Sequence, residues 1–269
     1  MSNREIMEYD VVIVGAGPSG LSTAIKLKQL SKEANKDLSV CVVEKGSEVG
    51  AHIISGAVIE TKALDELIPD WKTRNCPLKT KANEDKFLYL TKTKSYQLPT
   101  PPQMHNEGNY IISLSDFTKW LAEQAELLEV EIYPGFSASE VLFNDKNKVI
   151  GIATCDMGRL KDGSEGPNFE QGIELHSKQT IFSEGCRGHL GKTLIQKFNL
   201  DAESSPQTYG IGIKELWEIL PEKSNPGNIL HTTGWPLKSD TYGGSFLYHL
   251  DKNKISIGFV IGLDYKNPY

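Results

Sequence analysis

Apolar residues come in short runs along this chain, and the first runs alternate strand-like and helix-like. Val11, Val12, Ile13 and Val14 form an unbroken, mostly β-branched run that Gly15 stops. Such a run suits a strand buried on both faces, as a parallel sheet requires. The spacing then turns helical through Leu21, Ala24, Ile25, Leu27 and Leu30. Ser39–Val43 predicts a second strand that ends in Glu44. Ala63–Ile68 predicts a short helix stopped before Pro69. Lys72–Glu84 is polar and reads as a loop. Phe87–Leu90 and Ser95–Leu98 predict a hairpin, and Leu98–Asn109 is an extended, proline-rich connection.

Further along, Tyr110–Leu114 predicts a strand and Ser115 the cap of a helix running to about Leu128. That helix carries Phe117, Trp120, Leu121, Gln124 and Leu128 on one stripe. Glu129–Tyr133 alternates as a strand does, and Glu140–Phe143 with Lys148–Ala153 predicts another hairpin. Asp156–Gln171 reads as an exposed loop, Ile173–His176 and Gln179–Phe182 as two short strands, and Leu190–Phe198 as a helix. Gln207–Leu220 reads as a strand leading into a short helix; Thr241–Leu250 and Ile255–Ile261 complete the strands. The fold class expected is α/β, with further α+β elements inserted.

The turn between the first strand and helix is G-A-G-P-S-G, Gly15–Gly20, a match to G-x-G-x-x-G. Each glycine has a steric task. Gly15 makes the tight turn, Gly17 admits a pyrophosphate to the backbone, and Gly20 lets helix and strand pack closely. The helix N-terminus presents free N–H groups and partial positive charge to the phosphates. Glu44 stands 24 residues past Gly20, slightly beyond the usual ~20. The polar stretch Ser31–Asp37 accounts for the excess. A carboxylate there can accept both ribose hydroxyls of an adenosine. The bland alternative is a glycine-rich turn in an ordinary βαβ unit, and the full strand–turn–helix–strand–acid context weighs against it.

A second stretch, Ser183–Leu194 (SEGCRGHLGKTL), approaches the P-loop pattern G-x-x-x-x-G-K-[ST]. Counting back five from Gly191 reaches Cys186, not Gly185, so the spacing fails. A second strand-to-helix turn, with Gly185 near a cofactor, is the better reading. Gly46, Gly50 and Gly56 surround Ile53 and Ile54, which suits either backbone passing close to a flat ligand or a flexible loop. Gly243 and Gly244 open a main-chain N–H and C=O to a flat ligand, or mark a strand bulge.

Composition narrows the classes. Of 269 residues, 39% are hydrophobic and 24% charged, a globular balance, and the net charge of −6 argues against a general nucleic-acid surface. There is no apolar run of about 18 residues for a bilayer span. The N-terminus carries Glu5, Glu8 and Asp10 and no apolar signal core, so a cytoplasm-like compartment is expected. Cys41, Cys76, Cys155 and Cys186 are scattered without a CxxC, giving reduced thiols and no zinc or iron–sulfur spacing.

Several longer stretches go beyond the dinucleotide motif: VVIVGAGPSGLS, GAHIISGAV, SEGCRGHL, PQTYGIGIKELW, GWPL, TYGGSFLYHL and GLDYKNPY. Through them nearly the whole chain resembles the N-terminal half of the electron-transfer flavoprotein–ubiquinone oxidoreductases. The resemblance implies a Rossmann-like FAD-binding domain of the glutathione-reductase type, with an inserted, mainly-β quinone-binding domain. The expected boundaries are residues 1–85 and 110–200 for the first, and 86–109 and 201–269 for the second. It implies FAD held by Gly15, Ala16, Gly17, Ser19, Gly20, Glu44, Lys45 and Gly185. It places a quinone against Tyr242, Gly243 and Gly244, and it assigns no general acid or base. His52 and His249 are conceivable proton donors.

The implied activity passes electrons from reduced electron-transfer flavoprotein through FAD to membrane ubiquinone. A four-iron, four-sulfur cluster also takes part, and its ligands are expected outside this chain. The expected location is the bacterial cytoplasm, peripheral on the cytoplasmic face of the inner membrane. Ala51–Ile68 or Phe87–Pro102 would touch the lipid. A late Gly-Asp turn that closes over the flavin in this fold is not among these residues. The chain alone is therefore expected to hold the adenosine end of FAD better than the whole. Rival readings are another flavoenzyme of this fold, such as a monooxygenase or an isoprenoid double-bond reductase, and a non-catalytic nucleotide-binding module. No second G-x-G-x-x-G supports a nicotinamide site.

Overall fold

The computed structural model describes residues 4–54 and 56–265. Met1–Asn3, Ser55 and the last four residues of the GLDYKNPY stretch lie outside the described residues. The chain opens with β1 (Ile6–Val14), α1 (Pro18–Glu33), β2 (Val40–Glu44), β3 (Ala57–Ile59) and α2 (Lys62–Leu67). It continues through β4 (Thr80–Lys81), β5 (Glu84–Leu90), β6 (Ser95–Leu98), β7 (Tyr110–Ile112) and α3 (Leu114–Glu126). Next come β8 (Glu131–Pro134), β9 (Ala138–Phe143), β10 (Val149–Thr154), β11 (Met157–Arg159), β12 (Glu165–Glu170) and β13 (Glu174–Phe182). The last elements are α4 (His189–Phe198), β14 (Gly210–Glu218), β15 (Asn228–Gly234), β16 (Gly243–His249) and β17 (Lys254–Gly262).

These elements fall into two compact units, residues 1–52 with 118–204 and residues 53–117 with 205–269. In the first, a six-stranded sheet runs β8-β2-β1-β13-β10-β9. The pairs β2–β8, β1–β2 and β1–β13 are parallel, and the β9–β10 hairpin adds antiparallel strands at one edge. Val12, Ile13, Cys41 and Val42 are fully buried at its centre, which is why the sequence there is an unbroken apolar run. Cys41 is a core residue, and burial pushes its thiol up to about 12. Along α1 the buried stripe is Gly20, Leu21, Ala24, Ile25, Lys28 and Ser31, while Leu30 is exposed. Lys28 enters the stripe because its ammonium donates to the Leu38 carbonyl at 3.1 Å.

The second unit is built on a six-stranded sheet ordered β14-β17-β16-β15-β5-β6. All its pairs are antiparallel except β15–β5. A three-stranded sheet, β3-β7-β4, belongs to the same unit. Ile111 of β7 packs with Ile229 and Leu250, joined by Val58 and Tyr248. That core takes residues 53–85 and 110–117 into the second unit, whereas the resemblance implies that residues 1–85 and 110–200 belong together. Short strands so far apart in sequence show their sheet only through this packing.

Other differences are local. The glycine- and charge-rich stretch expected as a loop contains the exposed β11–β12 hairpin. Ile173–Phe182 is one strand, β13 from Glu174, because Ser177 still pairs with Tyr9 of β1. The KELW segment stays extended: Glu218 pairs with Lys254 at the far end of β14, and pairing with β17 overrides the helical spacing. β15 forms from a stretch whose sequence shows no clear alternation, held by pairing with β16 and β5 on its two sides. The cap of α3 is Ser113 rather than Ser115, its Oγ accepting from the Asp116 N–H at 3.3 Å.

Candidate functional site

Three parallel strands of the first unit end side by side: β2 at Glu44, β1 at Val14 and β13 at Phe182. Gly15 N–H donates to the Val43 carbonyl at 2.8 Å, and Ser183 N–H donates to the Val14 carbonyl at 2.8 Å. Glu44, the Gly15–Gly20 turn and the Ser183–Gly188 turn therefore share the carboxyl edge of the sheet, where open α/β sheets bind ligands.

The three glycines of the first turn do three different things. Gly15 has φ +103°, and a side-chain carbon there would lie 2.5 Å from the Ser183 carbonyl oxygen. At Gly20 a side-chain carbon would collide with the Gly15 carbonyl oxygen and press on Ile13, so helix and strand touch only because it is glycine. At Gly17 nothing lies within 4 Å of that position. Gly17 is also the N-cap of α1 and supplies no side-chain hydrogen bond. Pro18 follows at the first helical position, and no acid stands in the first turn. The positive end of the helix is thus not neutralised by its own first turn, as an anion site requires.

Glu44 is held by backbone. One carboxylate oxygen accepts from Ala16 N–H at 3.0 Å and the other from Gly46 N–H at 2.7 Å. A carboxylate has about four acceptor positions, so two remain for the hydroxyls of a ribose. Ser19 and Lys45 are exposed beside these groups in sequence. The residues present fit an ADP-bearing cofactor: open backbone at Gly17, an uncapped helix and a fixed acid.

The Ser183–Gly188 turn is different. Gly185 has φ +77° with open space at its side-chain position. The helix that follows, α4, is already capped: Glu184 accepts from Leu190 N–H at 3.2 Å and from Gly191 N–H at 2.7 Å. His189 Nδ1 lies 3.5 Å from the same carboxylate. A protein anion occupies the place where a P-loop would hold phosphate, a second reason, beside the spacing, that no nucleoside triphosphate site forms there.

In the second unit, Gly243 and Gly244 lie in β16 between β15 and β17. Gly243 has φ +152°, and a side chain there would strike the Val260 carbonyl oxygen and Leu237. At Gly244 it would strike the Thr232 carbonyl oxygen. Close strand packing thus accounts for both glycines. Tyr242 next to them is 81% exposed, and its carbonyl accepts from Gly262 N–H at 2.8 Å. His52 is exposed in the first unit; in the second, His249 Nδ1 accepts from Asn225 N–H at 3.2 Å, a local contact.

Alternate residues of the same sheet face carry a polar cluster that the sequence did not disclose. His231 faces Phe246 across β15–β16, and Gly258 of β17 leaves room for the Phe246 ring. Beyond it, Lys214 Nζ stands 5.5 Å from that ring and donates to the Gly56 carbonyl. Phe246 stacks on Tyr248 at 4.8 Å, and the Tyr248 hydroxyl is 3.0 Å from His231 Nε2. Burial lowers Lys214 and His231, and burial followed by the Asp85 charge pushes Tyr248 up to about 12. Only strand register brings these residues together; no spacing in sequence marks them.

Comparison with known proteins adds independent findings. Residues 13–71 match a family model described as NAD(P)-binding Rossmann-like domain, and residues 209–269 match one described as ETF-QO, ubiquinone-binding. A mitochondrial electron transfer flavoprotein-ubiquinone oxidoreductase of Dictyostelium discoideum is 61% identical over 99% of this chain and 44% of its own length. A probable enzyme of the same name from Acinetobacter baylyi is 56% identical over 99% of this chain and 48% of its own. The chain is related throughout its length to the electron-transfer flavoprotein–ubiquinone oxidoreductases. It spans under half the length of these two relatives.

Among solved structures, a geranylgeranyl bacteriochlorophyll reductase-like protein of Thermoplasma acidophilum superposes with TM-score 0.64 at 15% identity. It covers 95% of this chain and 57% of that one. A myxobacterial chondrochloren halogenase described as FAD-dependent gives 0.62 at 14% identity, covering 97% of this chain and 54% of that one. These likenesses fix the fold, a Rossmann-like α/β unit joined to a mainly-β one. Among the described residues no group of His, Cys, Asp or Glu could hold a metal, and no helix is long and apolar enough to cross a membrane.

Proposed function

We propose that this chain forms the FAD- and quinone-binding portion of an electron-transfer flavoprotein–ubiquinone oxidoreductase. The observation that carries the reading is the open backbone at Gly17, at an uncapped helix end beside the fixed Glu44. The first unit is the FAD-binding domain. Gly15, Ala16, Gly17, Ser19 and Gly20 line the diphosphate, Glu44 the ribose, with Lys45 beside it and Gly185 in the neighbouring turn. When bound, FAD supplies the one- and two-electron chemistry, and the protein supplies position and electrostatics.

The second unit is the quinone- and membrane-proximal domain. Electrons enter from reduced electron-transfer flavoprotein and leave to ubiquinone, with any iron–sulfur cluster held outside this chain. Tyr242, Gly243 and Gly244 belong to the quinone surface through their main chain and the exposed Tyr242 ring. Exposed aromatic residues support a peripheral membrane contact at one end of this sheet. Tyr209, Trp235 and Tyr242 are 50%, 52% and 81% exposed where β14, β15 and β16 begin or end. Trp235 N–H donates to Leu90 at 2.8 Å, so the hairpin with exposed Tyr89 and Tyr96 shares that end. Tyr and Trp suit a lipid–water boundary. Of the two expected segments, the exposed Tyr89 and Tyr96 favour Phe87–Pro102. The location proposed is the cytoplasmic face of a bacterial inner membrane.

The test is titration of the purified chain with ADP and with FAD, followed by ubiquinone-1. Saturable binding of ADP and FAD, and saturable ubiquinone-1 binding, are the expected results. A chain that binds neither ADP nor FAD sinks the FAD assignment; NADPH-driven flavin reduction would favour the monooxygenase or double-bond reductase reading.

A further inference from the structure

Within the second unit, one side-chain cluster has a composition that packing alone does not require. On one face of the sheet, register sets Gly212 of β14 opposite Val260 of β17, and Val260 opposite Gly244 of β16. Val260 is 37% exposed, Gly212 adds no side chain, and at Gly244 the Thr232 carbonyl oxygen takes the side-chain position, so this row is low. The next row, two residues along each strand, is Lys214, Gly258, Phe246 and His231. The low row is thus bordered by an aromatic ring with a nitrogen base on either side.

His231 is fixed in that border. Its Nε2 is 3.0 Å from the Tyr248 hydroxyl, and the two rings meet edge to face at 5.5 Å. Paired strands lie about 4.8 Å apart, and residues i and i+2 about 7 Å apart. His231 faces Phe246, and Gly244 is two residues from Phe246, so the imidazole is within side-chain reach of a ring lying on the low row. The titratable or charged groups around His231 are Tyr248 from β16 and Asp85 from β5; Lys214 lies on β14, three strands away. Asp85 is itself anchored by the backbone and side-chain N–H groups of Asn106, at 2.8 and 2.7 Å. The residues of the smaller sheet that pack in the cluster with Tyr248, Val58 and Ile111, are apolar.

We propose that His231 is the side-chain hydrogen-bond donor to a carbonyl oxygen of a quinone head group lying on the Gly212–Val260–Gly244 row. In this arrangement Tyr248 O–H donates to Nε2 and so leaves the imidazole proton on Nδ1. This deepens the ubiquinone reading and rests on it. It also gives Tyr248 a positioning role: the phenol selects the tautomer, and the imidazole selects an oxygen-bearing ring over a bare apolar one.

The experiment uses the full chain with FAD added, ubiquinone-1 as probe and naphthalene as a flat ring without oxygen. Nitrogen-15 NMR of the histidines should show His231 protonated on Nδ1, with that resonance moving when ubiquinone-1 is added. His231→Phe should weaken ubiquinone-1 by about tenfold, the loss of one hydrogen bond, and leave naphthalene unchanged. Tyr248→Phe, which keeps the ring, should shift the tautomer toward Nε2 and weaken ubiquinone-1 less. The wild-type NMR result stands even if a variant fails to fold. A proton on Nε2 in the wild type, or equal ubiquinone-1 affinity in wild type and His231→Phe, overturns the assignment while the ubiquinone reading stands. Absence of saturable ubiquinone-1 binding by the wild type overturns both.

Discussion

Two strand–turn–helix junctions lie side by side in the first unit, and they solve the same problem differently. At each, a parallel strand ends, glycines make the turn, and a helix begins with N–H groups that its own turns cannot satisfy. At the second junction a protein carboxylate, Glu184, reaches the Leu190 and Gly191 amides. At the first, Gly17 contributes no side-chain cap and open space lies over it. The acid at the end of β2, Glu44, is tied to Ala16 and Gly46 rather than to the helix amides. A helix end satisfied by the chain is finished; one left open is built for an outside anion. Both junctions are glycine-rich, so the difference lies in one side chain, not in glycine content.

The largest test of this contrast is Gly20→Val. Its new side chain has no room against Gly15 and Ile13. A loss of about 4 kcal/mol or more, seen as an unfolded circular dichroism spectrum, is expected. Gly17→Val separates binding from folding. It should melt within a few degrees of the wild type, since its side chain meets nothing within 4 Å. It should nevertheless weaken FAD or ADP by roughly tenfold to a hundredfold in calorimetry, because phosphate loses charge-assisted hydrogen bonds. Equal affinity would show that the open turn is not the phosphate site.

Glu184→Ala tests the closed junction. Losing the cap of α4 should cost about 1 kcal/mol in denaturant unfolding and leave ADP affinity unchanged. A matching loss of ADP affinity would mean the two junctions form one site. The smallest effect is expected at Asp10 in β1, away from both turns. The Lys178 hydrogen bond, then the Ser39 amide, hold its carboxyl down at about 2. A lowered folded value stabilises fully above the ordinary carboxylate range and is lost as pH falls toward 2. The melting difference between wild type and Asp10→Asn should therefore shrink between pH 5 and about 3. A difference constant over that range would deny the ion pair any role.

The contrast also shows which signals a sequence carries. The first junction was legible because all its parts are local: a buried apolar run, glycines at fixed offsets, a helical stripe and an acid one strand later. Each of those is dictated by backbone geometry within about 35 residues. The cap at Glu184 could have been suspected from an acid preceding a helix, but its spacing to the amides is irregular and only the folded turn shows the contact. The Lys214, Phe246, Tyr248, His231 cluster was invisible. Its members come from three strands, and their shared face depends on register, which no single segment encodes.

Taken alone, the sequence determined the dinucleotide turn, the acid at its side, the relationship to electron-transfer flavoprotein–ubiquinone oxidoreductases and most of the strands and helices. These follow from periodicity and from steric demands on single residues. Tertiary structure decided the rest. It moved residues 53–85 into the second unit, kept KELW in a strand and filled the space beside Gly243 and Gly244 with neighbouring backbone. It also brought His231 to Tyr248. In each case a contact between segments far apart in sequence outweighed the local preference, because burying apolar surface and pairing backbone across a sheet contribute more than the conformational bias of a few residues.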